Sequence, residues 1–244
     1  MKRIYFSLIC LGLSFNLLAA EISSAPSAKI KKVASSEPIA SAPTTMKEAT
    51  SGVIVNVTPC EVTSPCGVVS ETSRKVLDAV NKGVPQSQTI ALVNTVATPQ
   101  FDFNLMTKYA MGNNWKLATP EQQQQLVELF KQLLIYTYST ALSKFKGAQI
   151  TITSSTILDA KKSNVISQVL LPSANGNAQP VKVEYDLAKL SDDASWKAYD
   201  IKIENASLVT TYRNQFNEVV QSSKIEGLIK QLQTKVNSLK AKNS

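Results

Sequence analysis

Apolar and polar residues change rhythm midway along this chain, and the change divides it into a helical half and a strand half. From Val69 to Lys82 apolar side chains recur at three- and four-residue spacing. Val69, Val76, Leu77 and Val80 share a face and Gly83 supplies the stop, so the segment predicts a helix. A second helical segment spans Thr89 to Val96 and a third Asp102 to Met111, ended by Pro99 and Gly112. Thr119 caps the longest helix, with Pro120 in its first turn and Gln122 spaced to complete a capping box. This helix is expected to reach about Phe145, where Gly147 ends it.

Beyond Gly147 the period becomes two. Ile150 and Ile152 alternate with threonines, and Val165 to Leu171 is a buried-looking run. Val181, Val183, Tyr185 and Leu187 alternate with Lys182, Glu184 and Asp186, and Trp196 to Ile203 places Tyr199, Ile201 and Ile203 on one face. Asn175-Gly176-Asn177 and Ser191-Asp192-Asp193 are turn sequences, so about four strands form an antiparallel meander. Helices over Leu208 to Val220 and Gly227 to about Leu239 close the chain. The sum is an α+β domain, helices on one face of a curved sheet.

The N-terminus reads differently. Lys2 and Arg3 precede an apolar run from Ile4 to Leu18, then Ala19 and Ala20 come before the first acid, Glu21. That is the layout of a secretory signal peptide over residues 1–20, cleaved near Ala20, with a run shorter than the ~20 residues of a membrane span. Cys10 lacks the small preceding residues of a lipidated cysteine. From Glu21 to about Gly52 the chain is Ser, Ala, Pro, Thr and Lys with few large apolar side chains, a tether rather than a core. Residues 53–68, with Cys60 and Cys66, are grouped with it. A domain over 69–236 and a polar tail over 237–244 complete the expected organisation.

Charge and composition narrow the chemistry. Loss of the leader removes Lys2, Arg3 and Cys10, lowering the formal charge from +8 to +6 and leaving an even cysteine pair, expected as a Cys60–Cys66 disulfide in an exported protein. The chain has no histidine, which removes the usual general base and, with no third mature cysteine, the ligands of a metal site. Its eight glycines form no phosphate loop, and no cofactor is expected. Asp102, Asp200 and Glu204 are the carboxylates on which enzymatic chemistry would have to rest. Lysines are scattered without aromatic interleaving, which points away from nucleic acid; a solvated face, or weak attraction to anionic membrane surfaces or acidic partners, suits them better.

At about 100° per residue, Leu126, Val127, Phe130, Leu134, Thr137, Ala141 and Phe145 fall on one third of the long helix, expected to face the sheet. Thr137 and Ala141 are small. Either they let helix and sheet pack closely, or they leave an apolar channel between them.

The order of several short motifs resembles the MlaC-type periplasmic phospholipid shuttles, also described as the toluene-tolerance auxiliary protein family. They are Phe101-Asp102-Phe103, Gly112-Asn113-Asn114-Trp115, Ala118-Thr119-Pro120-Glu121-Gln122, Phe130 with Leu133-Leu134, and Thr137-Tyr138 before Ala141-Leu142. Trp196-Lys197-Ala198-Tyr199-Asp200-Ile201, Ser207-Leu208, Tyr212-Arg213 with Phe216, and Gly227-Leu228-Ile229 with Leu232 continue the series. Asn205 stands where the family usually has glycine, and the long leader with its cysteine pair and the tail after Lys235 are departures.

The resemblance implies an NTF2-like cone whose cavity holds phospholipid acyl chains. It further implies lipid movement between an outer-membrane lipoprotein complex and an inner-membrane Mla-type ABC transporter complex, in the service of outer-membrane lipid asymmetry. The lining expected on that basis is Leu126, Val127, Phe130, Leu134, Thr137, Tyr138, Ala141, Ile152, Val169, Val183, Tyr185, Tyr199, Ile201 and Tyr212. The competing expectation is an NTF2-like enzyme acting on a small hydrophobic substrate through Asp200 and Tyr185.

Overall fold

The period-two half of the chain folds into one six-stranded sheet in the order β1-β2-β3-β4-β5-β6. The computed structural model describes residues 52–83, 85–139, 141–172 and 179–243; the leader, the tether to residue 51 and the Asn175-Gly176-Asn177 turn lie outside the described residues. β2 (Gln149–Asp159), β3 (Lys162–Leu170), β4 (Val181–Ala188) and β5 (Lys197–Ile203) are the expected meander, all antiparallel. β6 (Ala206–Ser207) pairs back on β5. Register shifts near Ile152, Ile157 and Asp186 bend a sheet that stays open at its edges.

The sequence reading did not include β1 (Val53–Val55), which runs parallel to β2 with Val53 opposite Ile150. Residues 53–68, grouped above with the tether, are instead part of the folded body: Val53 is 2% exposed and Cys66 1%. Three consecutive apolar residues are too few to show a period, so this strand has no signal of its own. Cys60 and Cys66, with Cα atoms 5.7 Å apart, are joined as a disulfide. The loop it closes turns so tightly that a side chain on Gly67 would run into the Glu61 carbonyl.

The first helix, α1 (Pro65–Asn81), starts earlier than the apolar period because Ser64 caps it, its Oγ accepting the Gly67 amide at 3.2 Å. α2 (Gln86–Leu92) continues through π and 3-10 turns to Gln100. In α3 (Phe103–Met111) the Asp102 Oδ1 accepts the Leu105 amide at 2.9 Å. The capping box of α4 (Pro120–Ser139) is formed as expected: the Thr119 amide donates to Gln122 Oε1 at 3.0 Å, and the Gln122 amide to Thr119 Oγ1 at 3.2 Å.

α4 ends at Ser139 rather than near Phe145, with a 3-10 turn over Leu142–Phe145 beyond it. The Thr137-Tyr138-Ser139 run is poor in helix formers. α5 (Leu208–Asn243) is broken at Lys224, where φ is 59° and ψ −171°, so the two expected C-terminal helices become arms joined by one residue. A side chain on Gly227 would collide with that of Ser223, so glycine permits the break.

Two apolar clusters result. One joins α1 to the sheet through Val69, Leu77, Ile150, Ile152, Val165, Val169 and Leu187. The other joins α3, α4 and both arms of α5 through Met106, Leu126, Phe130, Leu134, Tyr212, Phe216, Leu228 and Leu232. Phe101 touches both.

Candidate functional site

The long helix does not lie on the sheet as its stripe suggested. α4 packs on α3 and on the two arms of α5. Leu126, Phe130 and Leu134, all buried, belong to the helical cluster, where the Phe130 ring meets Tyr212 at 4.9 Å and Phe216 at 5.2 Å, edge to face. The reason is in the partner: Tyr212, Phe216, Leu228 and Leu232 repeat at helical spacing along α5 and offer a ridged surface that matches the stripe.

The sheet face toward α1 is apolar, and its cover is uneven. Val165, Val169 and Leu187 are buried, whereas Val181 and Val183 on β4 and Ile201 and Ile203 on β5 are only half-buried. Val183 pairs with Ile203 and Tyr185 with Ile201, so these side chains share one face. Ile201 and Ile203 belong to neither packed cluster. The opposite face is ionic: Glu184 pairs with Lys182, and Asp186 accepts from Lys202 at 2.8 Å and from Asn164 at 2.8 Å. Val183 lies at the margin of the α1–sheet cluster, and Ile201 and Ile203 beside it extend the aliphatic surface beyond what either cluster claims.

The predicted tyrosines divide between the helical cluster and the sheet. Tyr138, at the end of α4, is hydrogen-bonded to Tyr212 on α5; burial pushes the Tyr138 hydroxyl above its ordinary pKa and holds that of Tyr212 well above it. Tyr185 reaches Ser167 on β3 and Ser73 on α1, and burial raises its pKa although both hydrogen bonds oppose the shift. Tyr199 is displaced from this group. Pairing steps from Asp200 to Ala198, which leaves Tyr199 as the extra residue of a bulge, its ring 5.4 Å from Tyr109 of α3. Burial and then the nearby Asp186 carboxylate push its pKa up to about 12.

Of the other sequence-predicted residues, Ile152 and Val169 are in the sheet cluster, and Val127, Thr137 and Ala141 are half-buried. The structure thus brings Val183, Tyr185 and Ile201 together and sends Leu126, Phe130, Leu134 and Tyr212 to a separate packed core. Val181 and Ile203 were missing from the predicted lining, although the alternation that flagged Val183 and Ile201 marks them equally. A shallow cleft of about 440 Å³ elsewhere, between α4 and the second arm of α5, is lined by Glu121, Gln124, Glu128, Gln132 and Lys240 together with Leu129.

The three carboxylates considered for catalysis have structural partners. Asp200, 7% exposed, accepts Ser207 Oγ at 2.6 Å and the Val209 amide at 3.1 Å, capping α5. Asp102 caps α3, and Glu204 accepts the Lys182 amide at 2.7 Å. Among the described residues, no helix is long and apolar enough to cross a membrane.

Known proteins resemble this chain in sequence and in fold. A toluene tolerance protein, ttg2D, of Pseudomonas putida is 28% identical over 130 residues, 53% of this chain and 58% of that protein, so the chain matches less than two thirds of its length. The solved structure of a phospholipid-binding protein from Ralstonia solanacearum, in complex with a phospholipid, superposes with a TM-score of 0.63 at 32% identity, covering 72% of this chain and 98% of that one. The family model described as MlaC protein matches residues 70–234, and with helices set against an open, curved sheet over that span, the chain belongs to the MlaC family.

Proposed function

We propose that this protein is a non-enzymatic phospholipid carrier that works in the periplasm, holding acyl chains in the seam between the β4–β5 face and the helical cluster. The observation that carries the reading is the half-covered aliphatic patch of Val181, Val183, Ile201 and Ile203, set in a fold whose Ralstonia solanacearum relative is solved with a phospholipid. Two acyl tails hold about 30 methylenes, and at ~0.8 kcal/mol each their exposure to water costs more than ~20 kcal/mol, so lipid needs an apolar wrapper to cross an aqueous compartment. Aliphatic walls resemble the membrane interior closely enough for loading and unloading.

On this reading residues 1–20 direct export, the following Ser/Ala/Pro-rich segment is a tether, and the body from β1 to α5 is the carrier. Its partners are an outer-membrane lipoprotein complex and an inner-membrane Mla-type ABC transporter complex, with lipid asymmetry of the outer membrane as the outcome. The test is organic extraction of the purified protein, with lipid phosphorus and mass spectrometry, for wild type and Ile201→Trp. Near-stoichiometric phospholipid in wild type, lowered in the variant without a lower melting temperature, is expected. Wild type free of lipid, together with a variant destabilised as overpacked cores are, by roughly 1–3 kcal/mol, would refute the seam as the site.

A further inference from the structure

The tip of the β2–β3 hairpin stands level with the ends of its neighbours, Asp159, Lys162, Ala188 and Lys197 forming one row across four strands, and β2 is the free edge there. Thr156, Ile157, Leu158 and Asp159 are exposed one after another along the β2 side of the tip, while Ser163, opposite Ile157 on β3, is buried. Ile157 is 58% and Leu158 59% exposed. Leu190, in the connection from β4 to β5, is 77% exposed and is fastened to the same place: Lys161 Nζ donates to its carbonyl at 3.4 Å, and the Lys189 amide donates to the Lys161 carbonyl at 3.0 Å. Three large aliphatic side chains therefore project from one corner, and clustered exposure of this kind marks an interaction surface.

Lysines surround the corner. Lys161 and Lys162 lie in the hairpin turn, and Lys189 and Lys197 flank the neighbouring connection, Lys162 and Lys197 both standing opposite Ala188. None of the four forms an ion pair with a carboxylate among the described residues. Lys189 instead donates to the Asp192 carbonyl at 3.2 Å and stands over the Trp196 ring. Asp159 accepts the Lys161 amide at 2.8 Å within the turn; Asp192 and Asp193 are exposed.

From this juxtaposition we infer that the hairpin tip is a docking point for the surface of an anionic bilayer. Ile157, Leu158 and Leu190 enter the boundary between headgroups and acyl chains while the lysines stay at the level of the phosphates. The exposed apolar residues of the corner are aliphatic, without the aromatic anchors that dominate protein hot spots, and they are bordered by lysines, which favours an anionic fluid surface over a folded partner.

The experiment is co-sedimentation of protein, purified from the soluble extract of cells expressing the full sequence, with vesicles of three parts phosphatidylethanolamine to one part phosphatidylglycerol and with pure phosphatidylcholine vesicles. Expected are binding to the anionic vesicles that weakens in high salt, a partition about tenfold lower for Ile157→Ser/Leu158→Ser/Leu190→Ser and for Lys161→Glu/Lys162→Glu, and little binding to phosphatidylcholine. Circular dichroism melts check that these exposed substitutions leave the fold intact. Wild type that stays in the supernatant, equal binding to both vesicle types, or unchanged partition of the folded variants would overturn the inference. So would a triple variant that still binds vesicles but no longer captures a partner from detergent-solubilised envelope. Protein on vesicles and phospholipid in protein are counted separately, so a failure here is distinguishable from failure of the carrier reading.

Discussion

Replacing Phe130 by alanine separates a packed helical core from a ligand-lined slot. Phe130 is fully buried, and its ring meets two others edge to face, Tyr212 at 4.9 Å and Phe216 at 5.2 Å. Truncation removes the transfer free energy of the ring and leaves a cavity that three tightly joined helices close poorly, a loss of about 3–5 kcal/mol that includes the aromatic contacts. Against a total stability of ~5–15 kcal/mol this is a large share, and at ~2–4 °C per kcal/mol for a domain of this size it lowers Tm by ~6–20 °C. Urea titration of delipidated protein reads the loss as a lower midpoint at unchanged slope. Delipidation matters because a ligand bound to the native state raises its apparent stability. Lipid phosphorus per folded protein should stay near the wild-type value, since the ring sits in the helical cluster and not on the β4–β5 patch. A cost below ~1 kcal/mol accompanied by loss of lipid would refute the reasoning and return the α4 stripe to the cavity wall.

Three further outcomes follow from the same geometry. Asp200→Ala leaves Ser207 Oγ and the Val209 amide without their acceptor at the start of α5, and should lower stability by ~1.5–3 kcal/mol in a denaturant titration; a neutral effect would mean that the cap is dispensable. Cys60→Ser/Cys66→Ser opens a short loop and should cost about 2 kcal/mol on the chain-entropy estimate, read as a lower thermal midpoint equal to that of the reduced wild type. In alkali, a tyrosine whose folded pKa is raised from 10.0 to about 12 keeps its proton in the native state while the unfolded chain loses it. Its contribution to stability is therefore intact below pH 10 and lost as pH rises toward 12. Tyr199→Phe should flatten that loss in melts taken across this range, and an unchanged slope would assign it to other groups.

Local signals carried much of this architecture. The Thr119-Pro120-Gln122 box, the Asp102 cap and the Gly112 stop are each readable within a few residues, because helix ends are satisfied by their immediate neighbours. The alternation from Val181 to Leu187 fixed which side of β4 is apolar, since strand side chains alternate by geometry. What local pattern could not decide was the partner of each apolar face. The stripe of α4 is equally suited to a sheet or to a helix, and only the folded arms of α5, brought together by the break at Lys224, claim Phe130 and Leu134. Residues Val53–Val55 become a strand only because the edge of β2 is there to pair with them, a contact across nearly a hundred positions. The bulge at Tyr199 likewise depends on pairing with β4. The half-covered patch of Val181, Val183, Ile201 and Ile203 exists because α1 covers one half of the sheet and the helices turn to one another, so the candidate site is a remainder of tertiary packing.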